Sequence, residues 1–243
     1  MGSLLVPYPQ YGALDELMIP GFSERYQSLQ VEAERPFSHG LTFMAGYAYI
    51  HENYDQYFND LAEYAESPSM VDSANPRHRI TAGGVWNLPV GRGRAFLSSA
   101  PGLVNAILGG WSTSSVFMFN SGDLLDFSTQ MIATGNPIIP QPTASHWFNT
   151  ADFQVPLPYT PRENPYSYSG LTGPHFYDID TSVYKTFPLT ERFSLVFRFA
   201  AYNLLNNFVP SDPDTNIDDS TFGMSTSQAN AGRECEYSLR LNF

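Results

Sequence analysis

The chain is predicted to be all-β, an antiparallel up-and-down meander, on three observations. Apolar and polar residues alternate with period two over seven stretches, the connections between them are alternately short and long, and aromatic residues gather where the stretches end. No run approaches the roughly 18 consecutive apolar residues of a membrane-spanning helix. A membrane-spanning strand needs only about 9–11 alternating residues, so the same pattern admits a transmembrane β-barrel.

The first stretch, "YQSLQVEAER", puts Leu29, Val31 and Ala33 on one face and Gln30, Glu32 and Glu34 on the other. After "PFSHG" the run "LTFMAGYAYI" sets Leu41, Phe43, Ala45, Tyr47 and Tyr49 against Thr42, Met44, Gly46 and Ala48, which completes a hairpin. Residues 51–76 carry six carboxylates and no Lys or Arg, and read as a loop too long and polar for an ordinary hairpin. Alternation resumes in "RHRITAGGVWNL" through Ile80, Ala82, Trp86 and Leu88. The break "PVGRGRAFLSSAPGLVNAILGG" is predicted to hold a helical turn near "GLVNAIL" before the strand "GWSTSSVFMFN". Residues 121–173 are dense in Pro, Asn, Ser and Tyr and read as loop, with a short strand expected at "DLLDFST". In "HFYDIDTSVYKTF", Phe176, Asp178, Asp180, Ser182 and Tyr184 oppose Tyr177, Ile179, Thr181, Val183 and Lys185. The turn "PLTE" leads to "RFSLVFRFAAYNLL", with Phe193, Leu195, Phe197 and Phe199 on one face. A polar loop then precedes the last strand, where Cys235, Tyr237, Leu239, Leu241 and Phe243 alternate with Glu234, Glu236, Ser238, Arg240 and Asn242.

The compact breaks at 36–40 and 188–191, and the longer one at 89–107, fall at one end of the sheet, and the long segments 51–76, 121–173 and 204–231 at the other. The compact end gathers Arg35, Arg92, Arg94, Lys185 and Arg192 beside Phe37, Phe96 and Phe187. Unequal rims with aromatics at strand ends fit an outer-membrane barrel. A soluble β-sandwich binding carbohydrate or serving adhesion also fits the alternation, because either a lipid face or a dry core accepts these apolar rows. Acidic residues outnumber basic ones 24 to 12, for a net charge of -12, which excludes nucleic acid as a partner. The single cysteine, Cys235, excludes an internal disulfide framework. The start "MGSLLVPYPQ" has no basic segment ahead of an apolar one, so it does not read as a signal peptide, and Val6 breaks the myristoylation pattern.

Chemistry-bearing motifs are few. "GRGRAF" has Gly91 and Gly93 but no third glycine at dinucleotide-binding spacing, and reads as a flexible basic turn. No phosphate-binding loop, nucleophile elbow or zinc-protease helix motif occurs, and His39, His51, His78, His146 and His175 lack ligand spacing. No cofactor is expected, and no nucleophile, base and oxyanion donor can be assembled, so the chain is not expected to be an enzyme. The best metal candidate is "DPDTNIDD", with Asp212, Asp214, Asn216 and Asp218 at every second position, but Ile217 and Gly223 stand where a calcium loop wants Gly and Glu. In the acidic segment, Tyr54, Tyr57, Phe58 and Tyr64 among carboxylates suit a sugar or a cationic chelate, and make that segment a candidate ligand-contact loop.

The strings "PYPQYG", "NPRHRITAGGVWNLPVGRGRAFL", "LGGWSTSSVFMFNSG", "HFYDIDTSVYKTFPLTERFSLVFRFAAYNLLNN" and "STFGMSTSQANAGRECEYSLRLNF", with the first hairpin, closely resemble the C-terminal barrel of TonB-dependent outer-membrane receptors, in particular the Oar-like group. The resemblance covers nearly the whole chain. It implies that residues 1–243 are the C-terminal segment of such a barrel, about seven or eight strands out of some twenty-two, with the plug, the TonB-contacting segment and the signal peptide lacking. It implies location in the cell outer membrane, and a part, in the full-length receptor, in uptake of a large or scarce solute whose identity the chain does not encode. The implied partners are outer-membrane lipid, the remainder of the barrel with its plug, and the barrel-assembly machinery. The last of these would read Tyr237, Leu239, Leu241 and the terminal Phe243 as its signal.

Overall fold

Each alternating stretch is a strand, and the strands form one antiparallel sheet. The computed structural model describes residue 10 and residues 22–56, 68–127, 131–157 and 165–243. Its strands are β1 (Glu24–Ser38), β2 (Leu41–Gln56), β3 (Ser69–Asp72), β4 (His78–Asn87), β5 (Trp111–Asn120), β6 (Ile132–Ala133), β7 (Phe153–Gln154), β8 (Phe176–Pro188), β9 (Ser194–Tyr202) and β10 (Glu234–Asn242), with one helix, α1 (Gly102–Leu108). The main sheet runs β1-β2-β4-β5-β8-β9-β10, each strand beside the next along the path, and β3 pairs with the far end of β2. This meander in a single sheet replaces the sandwich alternative, which needs the strands divided between two packed sheets.

Register decides which side chains share a face, because directly paired residues point the same way. One row crosses the sheet as Val31, Tyr47, Ile80, Phe119 and Tyr177, and another as Leu41, Trp86, Thr113, Val183, Phe199 and Tyr237. The opposite face carries Glu32, Arg79, Asp178, Asp180, Arg198, Glu236 and Arg240. The pleat thus gathers the large apolar rows on one face and most of the mid-sheet charges on the other. Lys185 lies in the apolar set, paired with Trp111 on one side and Phe197 on the other, and Arg35, opposite Phe43 near the short-turn end, shares that face.

The polar segments are more structured than their composition suggests. The acidic segment expected as loop from residue 51 begins as strand: β2 continues to Gln56, and β3 pairs with it from Asn53↔Asp72 to Gln56↔Ser69. Over residues 123–127, the described part of "DLLDFST", the expected strand does not form, and Leu124 makes only an isolated bridge to Thr172. Leu125 and Phe127 there point into a core instead, shared with Met131, Phe148, Phe153 and Leu171. Among the described residues that cluster has no counterpart in the sheet. The predicted helical turn is present as α1. The turn that carries it is not loose: Asn105 Oδ1 accepts from Arg92 N at 2.6 Å, and a Cβ on Gly91, whose φ is +122°, would stand 2.8 Å from Gly109 Cα.

Candidate functional site

The charged face lines a trough of about 760 Å³, with Gln30, Glu32, Met44, Gly46, Arg79 and Thr81 among its walls. Alternation supplies these residues from β1, β2 and β4, and the lack of a side chain at Gly46 and Gly83 keeps the space open. Chemically the trough sets the carboxylate of Glu32, the guanidinium of Arg79, the amide of Gln30 and the hydroxyl of Thr81 among the apolar Met44, Ile50 and Val116.

Over the long-loop rim sits a folded cap made from the β5–β8 and β9–β10 connections. Phe127, nowhere exposed, meets Phe148, Phe153 and Tyr168 at ring separations of 5.3–5.4 Å, and Phe222 from the other connection packs on Phe148 at 5.2 Å. Backbone bonds join the two connections, with Trp147 N donating to Gly223 O at 2.9 Å and Ser225 N to Ala144 O at 2.7 Å. Asn203 anchors the cap to the sheet. It is buried, holds a left-handed φ of 47°, donates its backbone N–H to Asp180 Oδ1 at 3.0 Å, and donates Nδ2 to Ala231 O at 2.9 Å. Asn207 Nδ2 adds a bond to Tyr177 O at 3.0 Å. Asparagine tolerates the left-handed region and bonds backbone at short range, which is why "YNLLNN" can leave a strand sharply. Neither residue stood out in the sequence, where the Asn-rich turn looked like ordinary loop punctuation.

At the junction of cap and sheet, a Cβ on Gly173 would stand 2.0 Å from Asp212 Oδ1, so a larger residue there would have to displace the Asp212 carboxylate. Burial of the carboxyl, and then the nearby charge of Asp123, push Asp212 above its usual 3.8. Burial also raises Asp123, against a lowering pull from Arg79.

The sequence-predicted candidates fall in several places. Of the proposed metal set, Asp214 Oδ1 accepts from Asn216 N at 2.9 Å and its Oδ2 from Thr221 Oγ1 at 2.5 Å. Asn216 Oδ1 accepts from Asp218 N at 3.2 Å, and its Nδ2 donates to Asp219 Oδ2 at 2.9 Å. These groups shape the loop rather than converge, and among the described residues no three of His, Cys, Asp and Glu come together around one point. Tyr54 is a strand residue, paired with Glu24 and Val71, while Tyr57, Phe58 and Tyr64 lie outside the described residues. Tyr237, Leu239, Leu241 and Phe243 are exposed at the end of the chain, the first three in β10 on the apolar face. His78 starts β4, as its place in "NPRHRI" suggested, and its Nδ1 is 2.9 Å from Tyr47 Oη.

Among protein families, the model of the outer membrane beta barrel domain matches residues 2–236. The chain belongs to that family. No curated protein and no solved structure matches it. The barrel domain resides in the outer membrane, so its apolar face is the lipid face and the trough is lumenal. On the lipid face, Trp86 and Trp111 mark one end, and Tyr47, Phe119 and Tyr177 the other. From Trp111 to Phe119 is roughly 26 Å along the strand at about 3.3 Å per residue, close to the apolar band of about 25 Å in such barrels.

Proposed function

We propose that this domain is the C-terminal part of the barrel of a TonB-dependent receptor of the Oar-like group, and that the whole receptor takes up a large or scarce solute. The observation that carries the reading is the unequal pair of rims joined by one amphipathic meander: short turns at one, and at the other two long connections folded together around a core of their own. The short turns then face the periplasm and the cap faces the exterior. There it screens what reaches the lumen, and Tyr54 stands with the acidic segment at the same rim. The remaining barrel strands, the plug and the TonB contact belong to other parts of the receptor. Catalysis has no place in this scheme. The test is an antibody to the cap. On intact cells it should bind, and on blots it should detect an outer-membrane product well above 27.1 kDa that cross-links to TonB. A 27.1 kDa product that never cross-links would overturn the reading.

We further assign Tyr237, Leu239, Leu241 and Phe243 to recognition by the assembly machinery. Phe243 is 94% exposed and lies outside the strand pairing, so deleting it should leave a preassembled sheet intact while reducing the amount inserted several-fold. Unchanged insertion, read from heat-modifiable mobility, would refute the assignment.

A further inference from the structure

We propose that α1 and the turn carrying it form a lipid-binding element, lying in the phospholipid headgroup region against the outside of the barrel. That these headgroups are those of the inner leaflet rests on the orientation proposed above, whereas contact with lipid rests only on the barrel's place in the membrane.

The side of the sheet follows from two residues of the apolar row. Lys185 Nζ lies 2.5 Å from Ala106 O and 3.3 Å from Ile107 O, and Trp111 Nε1 donates to Ile107 O at 2.9 Å. Lys185 and Trp111 are directly paired and point toward lipid. The carboxyl end of α1 is therefore held outside the barrel, not in the lumen. An ammonium on a lipid-facing row needs a partner, and helix-end carbonyls, with their partial negative charge, supply one. The same group lies 4.9 Å from the Phe187 ring and 5.6 Å from that of Trp111, which shields it further.

What α1 then presents outward is apolar. None of its residues is buried, and Leu103, Val104, Ile107 and Leu108 are exposed, as are Phe96 and Leu97 of the same turn. Such a patch in water marks an interaction surface, and this one is continuous with the lipid face of β5 and β8. A seven-residue helix is not stable by propensity alone, so its form here depends on tethers. Those tethers are Lys185, Trp111 and the Asn105–Arg92 bond, and they hold the exposed side chains in one fixed patch. Charge selects the occupant. Residues 88–110 contain Arg92 and Arg94 and no Asp or Glu, and Arg192 lies in the next turn of the same rim, a complement to phosphate headgroups.

The test uses the protein in isolated outer membranes, with Cys235→Ser as background and a nitroxide label at Ile107→Cys. Phe117→Cys, in mid-strand on the lipid face, and Asp218→Cys, in the cap loop, are the references. Collision with oxygen relative to a nickel chelate should place Ile107→Cys between them, at headgroup depth, and adding Lys185→Met should shift it toward the Asp218→Cys value. A label at Ile107→Cys as open to nickel as Asp218→Cys, beside a lipid-exposed Phe117→Cys, overturns the inference while leaving the barrel in place. Shielding from both colliders would indicate a protein surface on α1 and would also overturn it. A water-exposed Phe117→Cys would remove the membrane location on which everything here depends.

Discussion

The two carboxyls between cap and sheet, Asp123 and Asp212, make the long-loop rim sensitive to pH. Desolvation, and then Asp123, raise Asp212, while desolvation raises Asp123 in spite of Arg79. A group whose folded value lies above its unfolded one binds more protons in the folded state, so stability falls as pH rises through the interval between them. The interval opens at the usual aspartate value of 3.8 and extends upward. The cap should therefore be better held below that interval than above it. Amides bonded inside the β9–β10 connection, such as Ser211 N to Ser227 O and Asp214 N to Met224 O, report on this. Corrected for intrinsic rates, their exchange should be slower at acid than at neutral pH, and Asp212→Asn should flatten the difference. A cap whose protection rises with pH would contradict the sign.

At the scale of elements, the cap behaves as a small folded unit with a core of its own, and the sheet has none. Phe127→Ala would remove a fully buried ring from the contacts with Phe148, Phe153 and Tyr168, at a cost of about 3–5 kcal/mol. The expected result is rapid proteolysis of the cap on intact cells, with β5, β8 and β9 still protected. On the other rim, Lys185→Met should loosen α1 by roughly 1.5–3 kcal/mol, the usual worth of a hydrogen bond to a charged group, seen as faster exchange over 102–108. The sheet strands were legible because alternation is strict: Leu29 to Ala33, Leu41 to Tyr49 and Cys235 to Leu241 each keep one face in the register observed. The cap was not legible, since its core draws Leu125, Phe127, Met131, Phe148, Phe153 and Leu171 from distant points with no common period. The excess of large apolar residues in a Pro-rich and Asn-rich segment was the available signal. α1 could be read from "GLVNAIL", but not which side of the sheet it takes. Lys185 carried that information, as the only charged member of the row Ile179, Val183, Lys185 and Phe187, which needed a partner outside the barrel.

For the whole molecule the decisive feature is that the sheet ends. β1 pairs only with β2 and β10 only with β9 among the described residues, and nearly every residue in these two strands is exposed. In the hydrocarbon of a membrane each unpaired backbone group costs several kcal/mol, so an open edge of this length cannot persist there. β3 does not relieve the problem, because it lies on β2 at the long-loop rim, away from either edge. Pairing of the two edges, with each other or with strands outside the described residues, follows from the energetics. In an antiparallel strand alternate amides point to opposite sides, so half of those in β1 and β10 face away from β2 and β9. Measured on the 243-residue chain alone in detergent, these outward amides should exchange quickly, and those of β5 slowly. In the native outer membrane the outward amides of β1 and β10 should slow to match β5. If they stay fast there while β5 is protected, the edges are hydrated rather than paired, and the lumen opens sideways between β1 and β10.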